Sequence, residues 1–118
     1  MEVRFRDAEK VNLMGYFLRD LLRTNLKTRA GQTAAQALRG AFLFEASGMK
    51  TRLIFSGQSI EVASGNDLKY HAKIKGDLNT LLDIALGNHY LKFIFTGKIR
   101  ISGNFFLLLK LMKVLRAN

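Results

Sequence analysis

The stretch that decides the fold is Gly97–Arg116, which reads GKIRISGNFFLLLKLMKVLR. Lysine or arginine alternates with isoleucine over residues 98–101, which is the pattern of a strand with one buried face. Ser102 and Gly103 end that strand. Asn104 is predicted to cap the helix that follows, because its side chain can accept a hydrogen bond from a first-turn amide.

The helix predicted over residues 105–116 is apolar around most of its circumference. At about 100° per residue its basic residues form one narrow stripe, and the apolar residues cover the rest. The stripe contains Lys110, Lys113 and Arg116. A helix on the surface of a globule needs an apolar arc of little more than about 100°. This helix has about twice that arc, so more than one apolar surface must cover it.

Composition indicates one globular domain, residues 1–118, with 48% hydrophobic and 24% charged residues. There is no cysteine, which excludes disulfides and thiolate metal sites. The N-terminus has no apolar signal segment, and the longest apolar run, Phe105–Leu109, is far short of the ~20 residues that span a bilayer. A soluble cytoplasmic protein is therefore expected.

The net charge of +10 has three interpretations. A soluble basic protein needs no special partner. Nucleic acid and an anionic membrane surface are the two functional alternatives. The distribution of the basic residues has to decide among the three.

Periodicity predicts helices over about residues 8–28, 34–39, 78–86 and 105–116, and strands over 41–46, 50–56, 59–63, 68–75 and 92–101. Asp7, Thr33 and Asp77 are the predicted caps of the first three helices. The strands are short and separated by glycine-containing turns, which is typical of an antiparallel meander. Gly97 within the last strand indicates a bulge or a close backbone approach.

These elements predict an α+β fold in the order α-α-β-β-β-β-α-β-α. Helices at both ends and one before the last strand would cover one face of a five-stranded, mostly antiparallel sheet. The other face would be wet and basic, because Lys69, His71, Lys73 and Lys75 alternate with apolar residues.

Catalysis finds little support in the residues. His71 and His89 are not at metal-ligand spacing, and no glycine-rich phosphate loop or activated nucleophile is recognisable. We therefore expect no enzyme activity and no cofactor.

Three functions remain open. A nucleic-acid module could use the basic residues Lys69, Lys73, Lys75, Lys98 and Arg100 on the wet face of the sheet. RNA-binding sheets expose aromatic residues for base stacking, whereas most aromatic residues here alternate inward, so nucleic acid is the less favoured partner.

An accessory subunit could pack its last helix on a partner protein. A ligand-binding domain could take an apolar ligand into its interior, although a filled core is the commoner explanation of such a helix. The oligomeric state stays open.

Two segments resemble the sterol carrier protein two family. Gly76-Asp77-Leu78 opens an amphipathic helix, and the strand end at residues 97–104 precedes a helix rich in leucine, methionine and phenylalanine. The resemblance covers about residues 30–116. It implies a hydrophobic tunnel between sheet and helices that binds a sterol, fatty acyl chain, phospholipid or isoprenoid lipid without chemistry. Bacterial accessory proteins of quinone biosynthesis have a similar helix.

Transferred by position, the resemblance implies a ligand-binding set. It comprises Leu81, Leu82, Leu86, Phe93, Phe95, Phe105, Phe106, Leu109 and Met112. The stripe of Lys110, Lys113 and Arg116 would contact a headgroup or an anionic membrane. The C-terminal residues 115–118 do not form a peroxisomal signal, so a peroxisomal sterol carrier is not implied.

Overall fold

The structure, a computed structural model, describes residues 1–65, 69–85 and 97–115, and for Ile84 and Ala85 it describes the backbone alone. The strands in these ranges are β1 (Glu2–Phe5), β2 (Gly40–Ala46), β3 (Met49–Phe55), β4 (Ser59–Ser64), β5 (Ala72–Gly76) and β6 (Ile99–Gly103). The α-helices there are α1 (Leu13–Asn25), α2 (Arg29–Gln36), α3 (Leu78–Ala85) and α4 (Phe105–Leu115).

The described strands form one mixed sheet in the order β1-β4-β3-β2-β5-β6. Two neighbouring pairs, β1 with β4 and β2 with β5, are parallel, and the other three pairs are antiparallel. The predicted α+β class is confirmed, but the predicted five strands were wrong because β1 was missed. Its four residues, Glu2-Val3-Arg4-Phe5, do alternate between charged and apolar, but this run is at the lower limit of a strand pattern and was overlooked. Pairing with β4, with Val3 opposite Ile60, makes it a strand.

The predicted meander is correct for β2, β3 and β4 but wrong for the next strand. β5 lies beside β2 and parallel to it, with Phe44 opposite Ile74. The predicted strand over 68–75 begins only at Ala72 in the described residues. Strand pairing of this kind depends on contacts distant in sequence, which local alternation does not encode.

The first two helices do not begin at the predicted residues. Asp7 caps a short 3-10 turn at Ala8–Lys10, and Asn12 caps α1 by accepting a hydrogen bond of 3.0 Å from the Gly15 amide. Thr28, not Thr33, caps α2. Thr33 lies inside α2, so its capping-box pattern is an ordinary part of a helix that had already begun.

The last strand also differs from the prediction. It begins at Ile99 and continues to Gly103, while residues 92–96 of the predicted strand lie outside the described residues. Gly97 is in a turn at φ +73°, and no described atom lies within 4 Å of the position that a Cβ would occupy. Gly97 therefore lies before β6 and not within it, and the described residues show no close approach there. The close approach occurs at Gly103 instead.

The core lies between one face of the sheet and the helices. Helix α1 packs on β1, β3 and β4, α3 on β2 and β5, and α4 on α1, α2 and β5. Helix α4 buries Leu108, Leu111, Met112, Val114 and Leu115 in the same cluster as Phe42 and Phe44. Along these five residues, the protein's own helices and sheet cover the excess apolar arc that the sequence pattern of α4 shows.

A buried polar contact ties the ends of α1 and α4 together. Asn25 is fully buried, and its Nδ2 donates to the carbonyl oxygens of Val114 (3.1 Å) and Leu115 (3.0 Å). The last carbonyls of a helix have no partner within the helix, so this side chain satisfies two of them. At the other end of α4 the predicted cap is confirmed, because Asn104 Oδ1 accepts from the Leu107 amide at 3.2 Å.

Candidate functional site

An apolar pocket of about 200 Å³ opens between α1 and α3. Its lining, as far as the described residues show it, consists of Leu13, Met14, Phe17, Leu78 and Leu82. Leu13 is 71% exposed although it lines the pocket, so the pocket opens to solvent beside it. We call this site the α1–α3 pocket. With no polar group in its described lining, it suits an apolar group and cannot orient a polar one.

The wall formed by α3 depends on a carboxylate cap. Asp77 Oδ1 accepts from the Thr80 amide and Oδ2 accepts from the Thr80 hydroxyl, both at 2.9 Å, which confirms the predicted cap. These hydrogen bonds hold the pKa of Asp77 below its ordinary value, and the bond from the Thr80 amide contributes most to this shift. The cap sets the start of α3, and thereby places Leu78 and Leu82 in the pocket wall.

Acid is expected to weaken this end of α3. A depressed pKa contributes stability that is full above the ordinary aspartate value of about 3.9 and is lost as the pH falls through the lower folded value. The Asp77→Asn variant keeps a capping side chain that does not titrate. Its free energy of unfolding should therefore fall less steeply below about pH 4 than that of the wild type. Urea unfolding at a series of pH values measures both slopes, and equal slopes would contradict the prediction.

A second recess, of about 490 Å³, lies between α2 and α4. Helix α2 contributes small side chains at helical spacing, and α4 contributes two lysines. The described lining is Ala30, Thr33, Ala34, Ala37, Lys110 and Lys113. We call this recess the α2–α4 groove. Its floor is largely apolar and its rim is basic, so it differs in chemistry from the α1–α3 pocket.

The structure brings together only part of the predicted ligand-binding set. Leu81 and Met112 are buried in the core, Leu82 lines the α1–α3 pocket, and Leu109 is half-buried. Phe105 and Phe106 are 39% and 78% exposed, so their side chains lie at the surface of α4 instead of in the interior.

The remaining predicted site residues, Leu86, Phe93, Phe95 and Arg116, lie outside the described residues. The pocket residues of α1 were missed by the sequence analysis. Leu13, Met14 and Phe17 show only the apolar spacing of a helix that faces a core, and nothing local separates such residues from residues that line a pocket.

The outer face of the sheet is basic, as predicted, but part of its charge is paired. Lys75 and Arg100 are exposed neighbours on β5 and β6. Lys73 Nζ lies 2.9 Å from Glu45 Oε2. Their hydrogen bond raises the pKa of Lys73 and lowers that of Glu45, so this pair stays ionised over a wide pH range.

The alternation predicted that His71 lies on a strand, but the structure places it outside the strands. It precedes β5, and its Nδ1 accepts from the Ala41 amide at 2.9 Å, so its ring holds the start of β5 against β2. Within the described ranges, no three histidine, aspartate or glutamate side chains are grouped so that they could hold a metal ion. No helix of that part of the chain has the length and apolar character needed to cross a membrane.

Helices packed on one face of a mixed sheet, with apolar recesses between them, define a class of small α+β domains that can hold apolar ligands. The chain belongs to the SCP-2 sterol transfer family, whose sequence pattern it matches over residues 18–116. This match confirms the predicted family. The family is one of lipid-binding domains that are generally non-enzymatic.

Solved structures show the same fold. The UbiJ-SCP2 ubiquinone synthesis protein is 18% identical, with a TM-score of 0.70 over 88% of this chain and 89% of that one. A sterol carrier protein domain from Helicoverpa armigera is 19% identical, with a TM-score of 0.69 over 91% of each chain. Palmitated SCP2L2 from Aedes aegypti is 18% identical, with a TM-score of 0.55 over 81% of this chain and 92% of that one. Comparison with curated protein sequences gives no match.

Proposed function

We propose that this protein is a carrier that binds one lipid and takes up its apolar chain through the α1–α3 pocket. The observation that carries the proposal is the wholly apolar described lining of this pocket, which opens beside the exposed Leu13. The driving force is burial of the ligand's apolar surface, about 25 cal/mol per Å² before the costs of binding. No reaction is involved.

The size of the pocket bears on how the ligand enters. Complete small-molecule sites measure about 300–1,000 Å³, whereas the α1–α3 pocket measures about 200 Å³. We propose that it receives the leading end of a chain and that α1 and α3 move apart to admit the remainder. A flexible chain can enter end-on in this way, whereas a rigid ring system needs the full width at once.

The proposed ligand class is therefore a lipid with a fatty acyl or isoprenoid tail, in preference to a sterol. Two structural relatives support this choice by their descriptions, since one is a ubiquinone synthesis protein and another is palmitated. A carrier must also meet the membrane from which it takes its lipid. Lys110 and Lys113 are exposed and are the proposed contacts with anionic headgroups.

The test begins with organic extraction of the purified protein and mass spectrometry of the extract, followed by titration of the delipidated protein with a fluorescent fatty acid. Leu82→Arg is expected to weaken binding at least about tenfold, because it places a long charged side chain in an apolar pocket. Leu82 is half-buried, so the variant can fold. Ile54→Arg is the matched control, since Ile54 is also half-buried but lies on the outer face of the sheet.

Binding should be nearly independent of salt, because apolar burial drives it. A steep loss of binding with salt would indicate the counterion release that accompanies nucleic-acid binding. The absence of any co-purified lipid together with no fatty-acid binding would refute the carrier. Equal losses in the two arginine variants would show that Leu82 acts through stability and not through the pocket.

A further inference from the structure

We infer that the side of the molecule formed by α2 and α4 docks on an anionic lipid bilayer, with Phe106 inserted among the lipids. We call this side the α2–α4 face. It comprises the lining of the α2–α4 groove, with Lys110 and Lys113, and the exposed Phe106 on the same side of α4. The inference rests on the proposed function, in which Lys110 and Lys113 contact membrane headgroups, and it adds which face docks and which side chain inserts. Its support comes from charge, exposure and side-chain chemistry on this one face.

The acidic residues of the chain avoid both helices of this face. The chain has nine aspartate and glutamate residues. None of them falls in residues 21–44, which contain α2, or in residues 84–118, which contain α4. The net charge of +10 is therefore distributed unevenly along the chain. A surface built from two segments without aspartate or glutamate has no acidic side chain of its own to repel an anionic headgroup.

The lysines of the groove are available for such headgroups. Lys110 and Lys113 are exposed, and neither takes part in an ion pair with any other described residue. By contrast, Lys73 and Lys50 on the sheet lie within 2.9 Å and 3.7 Å of Glu45. Lys110 and Lys113 are therefore available to pair with an anionic partner.

An exposed aromatic residue lies on the same stripe as the two lysines. Phe106, Lys110 and Lys113 are at positions i, i+4 and i+7, so they project from one side of α4. Phe106 is 78% exposed, and Phe105 beside it is 39% exposed. Lysines beside an exposed large apolar side chain combine the two attractions that hold a helix at an anionic membrane, electrostatic attraction to the headgroups and burial of apolar surface.

The chemistry of the groove favours a membrane over a protein partner. The centres of protein interfaces are enriched in arginine and depleted in lysine, whereas the basic residues in the described lining of the α2–α4 groove are lysines. Ala30, Ala34 and Ala37 give the described floor of the groove small apolar side chains. Lysine stems lying over small apolar residues can extend their ammonium groups to lipid phosphates. A bilayer satisfies each of these features at once.

The test is co-sedimentation of the full chain with vesicles of phosphatidylcholine, with and without phosphatidylglycerol. The wild type should bind the anionic vesicles and bind the neutral ones weakly. The double variant K110Q/K113Q is expected to lose about 30-fold in affinity, and Phe106→Ser about tenfold. All three residues are exposed, so folding should be retained, which circular dichroism checks.

The matched control is the double variant K75Q/R100Q, which removes the same charge from the exposed outer face of the sheet. It should lose only a fewfold, through the weaker overall field. Equal losses of vesicle affinity in the two double variants would show that the membrane attracts the protein without selecting one face, and would overturn the inference. Unchanged vesicle binding by Phe106→Ser would overturn it as well. Binding of polyglutamate without binding of vesicles would assign the face to an acidic protein.

The fluorescent fatty-acid titration separates this inference from the proposed function. The variants of the α2–α4 face should bind the fatty acid as the wild type does. A wild-type protein that binds anionic vesicles but no fatty acid would refute the carrier and leave the docking face standing. A protein that binds fatty acid but no vesicle would refute the docking face alone.

Discussion

Asn25→Asp is expected to destabilise the protein by about 3–5 kcal/mol, because it replaces a buried donor with a carboxylate. Asn25 Nδ2 donates to the carbonyl oxygens of Val114 and Leu115, at 3.1 and 3.0 Å. A carboxylate would face two lone-pair-bearing oxygens at the negative end of the α4 dipole. Both hydrogen bonds would be lost and a buried charge would be left without a partner.

The same substitution at the opposite end of α4 is the control. Asn104→Asp is expected to change stability by less than about 1 kcal/mol, because aspartate caps a helix N-terminus as well as asparagine does. Asn104 is exposed and its Oδ1 is the accepting atom. Chemical denaturation of both variants measures the difference. Similar losses would show that the contact of Asn25 with α4 contributes little to stability.

The deficit of Asn25→Asp should depend on pH. Burial favours the neutral carboxyl, so the folded variant binds a proton more readily than the unfolded chain does. The variant should therefore regain part of its stability as the pH falls toward about 4, where the wild type gains none from this position. A deficit that stays constant between neutral pH and that value would indicate a packing effect instead of a buried charge.

Gly103→Ala is expected to destabilise the protein by about 3–5 kcal/mol. Gly103 joins β6 to α4 at φ +85°, which costs an alanine about 1–2 kcal/mol. In addition, a Cβ at this position would overlap the carbonyl oxygen of His71 and lie 3.0 Å from Ala72 Cα. Both obstacles are backbone atoms of the neighbouring chain segment, so they cannot move aside as a flexible side chain would.

Gly97→Ala isolates the contribution of that contact. Gly97 has φ +73°, and no described atom lies within 4 Å of its Cβ position. This variant should lose only the cost of its backbone conformation, about 1–2 kcal/mol. Denaturation curves of the two variants give the cost of the close approach by difference. Equal losses would mean that the turn between β6 and α4 relaxes to accommodate a methyl group.

Together the two predictions concern how α4 is held. Gly103 and Asn104 set its beginning beside β5, and Asn25 sets its end beside α1. The helix is therefore positioned at both ends while Phe106, Lys110 and Lys113 stay on its exposed side. In the proposed docking, a helix held in this way would present its stripe to the membrane in one fixed orientation.

Much of the candidate site followed from local signals. The cap at Asp77, the place of Leu82 on the apolar side of α3 and the basic stripe of Lys110 and Lys113 all depend on spacing within one helix. The assignment of Leu82 to a ligand site came from the family resemblance. Phe105 and Phe106 were assigned to the ligand-binding set by position, through the family resemblance, but they are 39% and 78% exposed. Which side of α4 is covered depends on where α1 and α2 lie, and local spacing does not contain that information.

By itself the sequence determined the α+β class, the existence of α3 and α4, the caps at Asp77 and Asn104, and the family. The class, the helices and the caps depend on short-range periodicity or on hydrogen bonds between residues three apart, and the family follows from the motifs at residues 76–78 and 97–104. Only the tertiary structure decided that β1 pairs with β4, that β5 pairs with β2, and that recesses remain between α1 and α3 and between α2 and α4. Pairing and packing join residues far apart in the chain, and the space left between helices depends on how all of them fit together.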